Sequence, residues 1–260
     1  PPGDPCDLLT IIITTSPIRS NPSTEMLQHV LSTFSVVPGL AQCRRIIVCD
    51  NVRVMEPGRR LHPKNGQVLQ DAAERYWEFV DTVKRNVAAA SDDDPLWGRT
   101  TVTLLEEWGG YTWALKRGLM AATTPYVIVV QHDWVFLRPV SLPRILAAIA
   151  SEGVNYLKLV CKTTLLYPSR TSGRHCMDIT GVYVYVCVFV FACHYRVVGD
   201  SWLMPMVSFF DKVRVARVDW YLNVVFKHKW VKRGTFPEDT FGQHALQVIR
   251  ERGMDAHKDF

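Results

Sequence analysis

Four short apolar runs separated by amphipathic stretches fill the first 135 residues, and this alternation constrains the fold more than any other feature of the chain. Leu8 to Ile13, Arg45 to Cys49, Thr100 to Leu105 and Tyr126 to Val130 have the length and β-branched content of buried strands. Between the first two, Ser23 is placed to cap a helix that carries Met26, Leu27, Val30, Leu31 and Phe34 on one face. A loop from Glu56 to Gln67 leads to a longer helix, where Leu69, Ala72, Ala73, Tyr76, Val80, Val83 and Val87 recur at alternating spacings of 3 and 4. Gly109-Gly110 opens a third helix with Tyr111, Ala114, Leu115, Leu119 and Ala122 along one side. Strands that alternate with helices need crossover connections, so the chain is expected to be α/β, with a mainly parallel central sheet flanked by helices.

Ligands of such sheets bind beyond the carboxyl ends of the strands. Three polar clusters follow strands directly: Thr14-Thr15-Ser16, Asp50-Asn51 and Gln131-His132-Asp133. Parallel strands bring them to one crevice.

The rest of the chain is more mixed. A helix is expected near Leu142 to Ala150, strands near Tyr156 to Cys161 and Tyr183 to Ala192, and a last helix from Pro237-Glu238-Asp239 to Arg250-Glu251-Arg252-Gly253. No repeat or linker divides the sequence, so it reads as a single domain over 1–260, with a nucleotide-binding type of half at about 8–135 and an acceptor half at about 136–260. The longest apolar stretch, Val182 to Cys193, has 12 residues against the roughly 18–20 that cross a bilayer, so no transmembrane segment is expected. The opening Pro1-Pro2-Gly3-Asp4-Pro5 has neither an initiator Met nor the order of a signal peptide, and reads as trimmed from a longer chain.

Thirty Lys and Arg against 25 Asp and Glu give a net charge of +5, but the basic residues are scattered in ones and twos. That pattern speaks against a nucleic-acid partner and suits a small acidic substrate such as a nucleotide diphosphate. Seven Cys include no Cys-x-x-Cys pair; Cys49, Cys161, Cys187 and Cys193 read as free thiols in apolar runs, and no zinc site is expected.

Among the carboxylates, Asp133 stands just past a buried strand, where it can hold Mn²⁺ or Mg²⁺ on a diphosphate; it also suits a turn before Trp134. Asp92-Asp93-Asp94 reads as a solvated turn. Glu238-Asp239 is expected in the first turn of the last helix, which favours negative charge on structural grounds. The rival reading is that one of the pair accepts a proton from a nucleophilic hydroxyl. No strand is followed by a Gly-x-Ser-x-Gly elbow, a Walker loop or Gly-x-Gly-x-x-Gly, so serine esterase, P-loop and hydride-transfer chemistry are set aside. His132 is placed to touch a phosphate or acceptor, and His257 to add a metal ligand. Trp202, Trp220, Tyr221 and Trp230 are candidates for stacking on sugar rings, with core packing the expected use of any one of them.

In this order the features resemble the GT-A fold glycosyltransferases, a Rossmann-like class, and in particular the inverting family 2 type. Leu9 to Pro17 looks like that family's first strand and nucleotide loop, and Arg45-Ile46-Ile47-Val48-Cys49-Asp50 like its second strand, whose terminal Asp recognises uracil. The segment from Trp108 to Leu119 is similar to its Asn-x-Gly-Phe-Ala-x-Ala-Arg-Asn-x-Gly helix: it retains Gly110, an aromatic at Tyr111, Ala114 and Gly118, and departs at Trp108, Leu115 and Lys116. Thr124 to Asp133 stands where the family has a strand and an Asp-x-Asp metal motif, with Gln131 in place of the first acid. Gly234-Thr235-Phe236-Pro237-Glu238-Asp239 resembles its Glu-Asp pair.

The resemblance implies sugar transfer with inversion from a nucleotide-sugar, UDP-linked by family, to a hydroxyl of a glycan or glycoconjugate acceptor. It implies Thr14, Thr15, Ser16, Asp50, Gly110 and Gln131 on the nucleotide-sugar, Asp133 on the metal, and Asp239 with Glu238 in catalysis; Lys116 and His132 are added as nucleotide-sugar candidates and His257 as a metal candidate from their places in the chain. Two other classes share parts of the pattern: a nucleotidyltransferase, which would show a Gly-rich basic loop after the first strand, and a non-catalytic carbohydrate- or protein-binding module. A cytoplasmic enzyme and a lumenal fragment of a Golgi or ER enzyme share all these features.

Overall fold

The computed structural model describes residues 3–56, 58, 60–151, 154–159, 187–190, 196–198, 201–205, 209, 212–253, 256 and 259–260. The expected alternation is present. A short helix α1 (Pro5–Leu8) precedes β1 (Leu9–Thr15); α2 (Glu25–Ser32), β2 (Arg44–Cys49), β3 (Arg53–Val54), β4 (Gln67–Val68), α3 (Gln70–Ala89), β5 (Thr100–Leu104), α4 (Gly110–Ala121), β6 (Tyr126–Gln131) and α5 (Leu142–Ala150) follow. The later elements are β7 (Tyr156–Lys158), β8 (Cys187–Val190), β9 (Arg196–Val198), β10 (Ser201–Pro205), β11 (Arg214–Arg217), α6 (Val218–Trp220) and α7 (Phe241–Arg252).

One sheet runs in the order β5-β2-β1-β6-β11-β7-β8-β10-β9, and the four strands from β5 to β6 are parallel. The fold is thus α/β, with a mainly parallel sheet in its first half and helices on both faces. Side-chain alternation divides the core in two. Leu9, Ile11, Ile13, Ile47, Cys49, Ile128 and Val130 face α2, α3 and α5, while Ile12, Ile46, Val48, Val127 and Val129 face α4, α6 and α7. Gly118 lets α4 press onto the sheet: a methyl group there would lie 2.6 Å from Ile12 Cγ2.

The second half departs from the sequence reading in instructive ways. Beyond β6 the sheet turns antiparallel, because β11 inserts between β6 and β7. Its sequence, Arg214-Val215-Ala216-Arg217, has two apolar residues and carries no strand signal, yet Arg214 is fully buried. The last helix begins at Phe241; Glu238 and Asp239 lie in the turn before it, where Asp239 N donates to Phe236 O at 3.1 Å and Gly242 N to Pro237 O at 2.8 Å. Met26 and Leu69, read as core-facing, are exposed, and Phe79 joins the buried stripe of α3 instead. Thr24 rather than Ser23 stands at the cap position of α2. The basic loop after β2 pairs parallel across its ends as β3 and β4.

Of the strand expected over Tyr156 to Cys161, the first three residues form β7, and residues 160–161 lie outside the described residues. Of the Val182 to Cys193 stretch, residues 187–190 are described, as β8. Among the described residues no helix is long and apolar enough to cross a membrane.

Candidate functional site

The parallel strands end together, as their register requires. Thr14 lies beside Val48 on one side and Gln131 on the other, and the ladder continues into the loops through Asp50 N to Thr15 O at 2.9 Å and His132 N to Thr14 O at 3.2 Å. All three polar clusters therefore stand at one carboxyl edge. Thr14 and Thr15 are buried, Ser16 and Asp133 are exposed, and Gln131 and His132 are half-buried.

Asp50 is only 4% exposed, and its carboxylate is largely used inside the protein. Oδ1 accepts from the backbone N–H of Gly109 at 2.8 Å and of Asn51 at 2.9 Å, and Oδ2 accepts from Gly110 N at 2.9 Å. The residue thus anchors the positive end of α4, and one acceptor direction of Oδ2 lies outside these three bonds. Burial pushes its carboxyl above the ordinary carboxylate range, against the opposing pull of the three N–H groups. Tyr76, from the buried stripe of α3, donates its hydroxyl to Asp50 O at 2.6 Å. The Asn51 amide holds the carbonyls of Leu105 and Glu106 at 3.0 and 2.9 Å.

A loop from the far end of the chain is pinned to the same edge. Gly234 N donates to Gly109 O at 2.9 Å, and Thr112 Oγ1 donates to Thr235 O. The contact demands glycine on both sides: Gly110 and Gly234 have φ of +69° and +75°, and a methyl group on Gly110 would stand 3.0 Å from Gly234 Cα. Trp108 fills the gap between Gly66 and Gly234, with the Arg53 guanidinium 4.3 Å from its ring centre. Arg233 pairs with Glu107 across the seam. This seats the segment that runs on into Glu238 and Asp239 against the N-terminus of α4, which Asp50 also anchors.

The two acids face different surroundings. Asp239 is exposed. Glu238 is half-buried, and its charge reaches the enclosed Tyr156 and Tyr221 hydroxyls, which burial pushes well above the usual phenol range. At the centre of this network Arg214 donates from Nε to Tyr221 Oη at 2.7 Å and from Nη2 to Tyr111 Oη. Burial opposes its charge, and the surrounding tyrosine hydroxyls outweigh that effect. Phe236, exposed, stacks on Tyr111 with ring centres 5.7 Å apart.

The other expected site residues are not all brought here. Lys116 lies on α4 six residues beyond Gly110, about 9 Å along the helix, with its ammonium over Trp113 and Phe226. Trp220 and Tyr221 are core residues packed with Tyr156, Phe209 and Phe241, whereas Trp230 is exposed beside His228 and His244. His257 and the side chain of Trp202 lie outside the described residues. Asp94 serves its own turn, accepting from Leu96 N and Trp97 N at 2.8 and 2.7 Å. Among the described residues no three His, Cys, Asp or Glu side chains cluster as a metal cage.

His132 has a buried Nδ1 without a hydrogen-bond partner, and burial lowers its pKa below that of an ordinary imidazole. The unfolded chain therefore takes up a proton near pH 6.5 that the folded chain refuses, so this residue's stabilising effect is present above that pH and is lost as pH falls. Urea denaturation between pH 7 and 5 is expected to show falling stability, with His132→Asn flattening the slope by up to about 1.4 kcal/mol per pH unit. An unchanged slope in the variant would place the acid sensitivity elsewhere.

No protein-family model matches the chain, and no curated protein matches it. Among solved structures it is similar to S. aureus TarS, at 12% identity over 92% of this chain and 33% of that one, with a TM-score of 0.47. It is also similar to glucosyl-3-phosphoglycerate synthase from Mycobacterium tuberculosis in complex with Mn²⁺, UDP and phosphoglyceric acid, at 10% identity over 96% of this chain and 66% of that one, with a TM-score of 0.44. A third is the mannosyltransferase PcManGT from Pyrobaculum calidifontis in complex with GDP-Man and Mn²⁺, at 15% identity over 63% of this chain and 39% of that one, with a TM-score of 0.37. The chain spans 33–55% of the length of the TarS structures it matches.

Proposed function

We propose that the chain is a glycosyltransferase that moves a sugar from a nucleoside-diphosphate donor, UDP-linked by resemblance, to a hydroxyl of a glycan or glycoconjugate, with inversion. The observation that carries this reading is the meeting of three strand ends with the Gly234 to Asp239 loop at one carboxyl edge. That edge offers polar strand-end groups for a nucleotide and, on its rim, an exposed carboxylate.

In this reading the Thr14-Thr15-Ser16 loop and the remaining acceptor direction of Asp50 hold base and ribose, and Gly110 stands beside them at the start of α4. Asp133, with the Gln131 amide oxygen two residues before it, presents the hard oxygen donors that Mn²⁺ or Mg²⁺ takes, and one or two such ligands suffice when phosphates complete the shell. When bound, the cation offsets charge on the departing diphosphate. His132, held neutral, can donate or accept one hydrogen bond at the phosphates without adding charge. Asp239 takes the proton from the acceptor hydroxyl as it attacks in line, and Glu238, turned toward the Arg214 network, fixes the turn that aims it.

The test is thermal shift with UDP, GDP, CMP and ADP, each with Mn²⁺, Mg²⁺ or EDTA. One nucleotide at about 100 times its Kd is expected to stabilise by about 2.7 kcal/mol in the presence of metal. Asp133→Ala is expected to abolish that gain. No gain with any nucleotide would overturn the donor site and favour a binding module, the reading that Gln131, standing where the family has an acid, favours on its own.

A further inference from the structure

We propose that Cys6 and Cys43 form an oxidisable pair, a redox modification site that closes to a disulfide by exchange with a small-molecule disulfide such as oxidised glutathione. Their Sγ atoms stand 2.7 Å apart across 37 residues of sequence, against a bond length of about 2.04 Å. Local structure fixes both. Asp4 Oδ1 accepts from Cys6 N at 2.9 Å and so holds the first turn of α1, which packs against the short turn Leu40–Gln42. Gly39, left-handed at φ +85°, aims its carbonyl between the thiols, with Cys6 Sγ at 3.5 Å and Cys43 Sγ at 3.4 Å. Closure therefore needs a small movement of two side chains already facing each other.

Exposure sets the order of events. Cys6 is half-buried and reachable, whereas Cys43 is fully buried. The Cys6 thiolate attacks one sulfur of oxidised glutathione, forming a mixed disulfide and releasing one glutathione thiol. Cys43 then attacks Sγ of Cys6 and releases the second. Two protein thiols are oxidised, one glutathione disulfide is reduced, and the two thiol protons end on the two glutathiones. Burial pushes both thiols above the usual cysteine range, so the exchange is slow at neutral pH and quickens as pH rises. The bond would tie the segment entering β1 to the segment entering β2, at the edge opposite the candidate site. It would stay open in a reducing compartment and close in an oxidising one. None of this depends on sugar transfer.

The whole chain, incubated with oxidised glutathione or with dithiothreitol, is then alkylated, digested and mapped by mass spectrometry. The expected result is a cross-linked peptide pair containing Cys6 and Cys43, two hydrogens lighter than the reduced pair, and a Tm raised by about 5–10 °C over the reduced protein. Cys43→Ala is expected to stop at a stable glutathione adduct on Cys6. Wild-type protein that accumulates that adduct without cross-linking, or leaves both thiols unmodified, would overturn the proposal whether or not the variant folds.

Discussion

An Asp239→Asn protein is expected to lose about 10²–10⁴-fold in sugar-transfer rate while keeping the nucleotide-induced rise in Tm. The asymmetry follows from the turn that carries the two acids. Asp239 is open to solvent on the rim, and its amide replacement keeps the shape but cannot take a proton. Glu238 is half-buried, with its charge reaching the enclosed Tyr156 and Tyr221 hydroxyls, so Glu238→Gln is expected to change stability more than it lowers turnover at a fixed fraction folded. The measurement is release of nucleoside diphosphate from the donor whose nucleotide stabilises the protein, with and without acceptor. Near-normal turnover in Asp239→Asn would remove that residue from the role of base.

Asp50→Ala is expected to cost about 3 kcal/mol of unfolding free energy, read from urea denaturation. Three backbone N–H groups, of Asn51, Gly109 and Gly110, lose their acceptor in a site that water reaches poorly, and α4 loses the negative charge at its N-terminus. Asn at this position keeps the two bonds to one oxygen but turns an N–H toward Gly110 N, and should cost about half as much. Because the Gly234 loop hangs on Gly109, the alanine variant is also expected to lose transferase activity beyond its loss of folded protein. A change below about 0.5 kcal/mol would show that Asp50 is not the anchor of α4.

The strand ends of the candidate site were legible because they depend only on where apolar runs stop. Thr14, Asp50 and Asp133 follow from that, and the register sets Thr14 beside Gln131, with Asp50 bonded to Thr15 and His132 to Thr14. What Asp50 does there was not legible, because two of its three partners are backbone groups 59 and 60 residues away that no side-chain pattern marks. Trp108 looked like a departure from a motif; in three dimensions it is the wedge between two glycines of distant loops. Tyr111 belongs by its spacing to a helix stripe, Tyr221 is expected in the core as it proves to be, and Arg214 carries no sequence signal. Together they form the buried polar centre beneath the Glu238 turn.

The sequence by itself determined the α/β alternation, the parallel half of the sheet and the polar clusters at the strand ends, since each rests on local periodicity. The tertiary structure decided the rest: an antiparallel strand with arginines at both ends inserted beside β6, the last helix starting after the acid pair rather than on it, and a loop anchored to α4 across 123 residues by Thr112 and Thr235. Those choices depend on burying Arg214 among tyrosines and on two backbones meeting at paired glycines. Such energies arise between residues remote in sequence, where no periodic pattern records them.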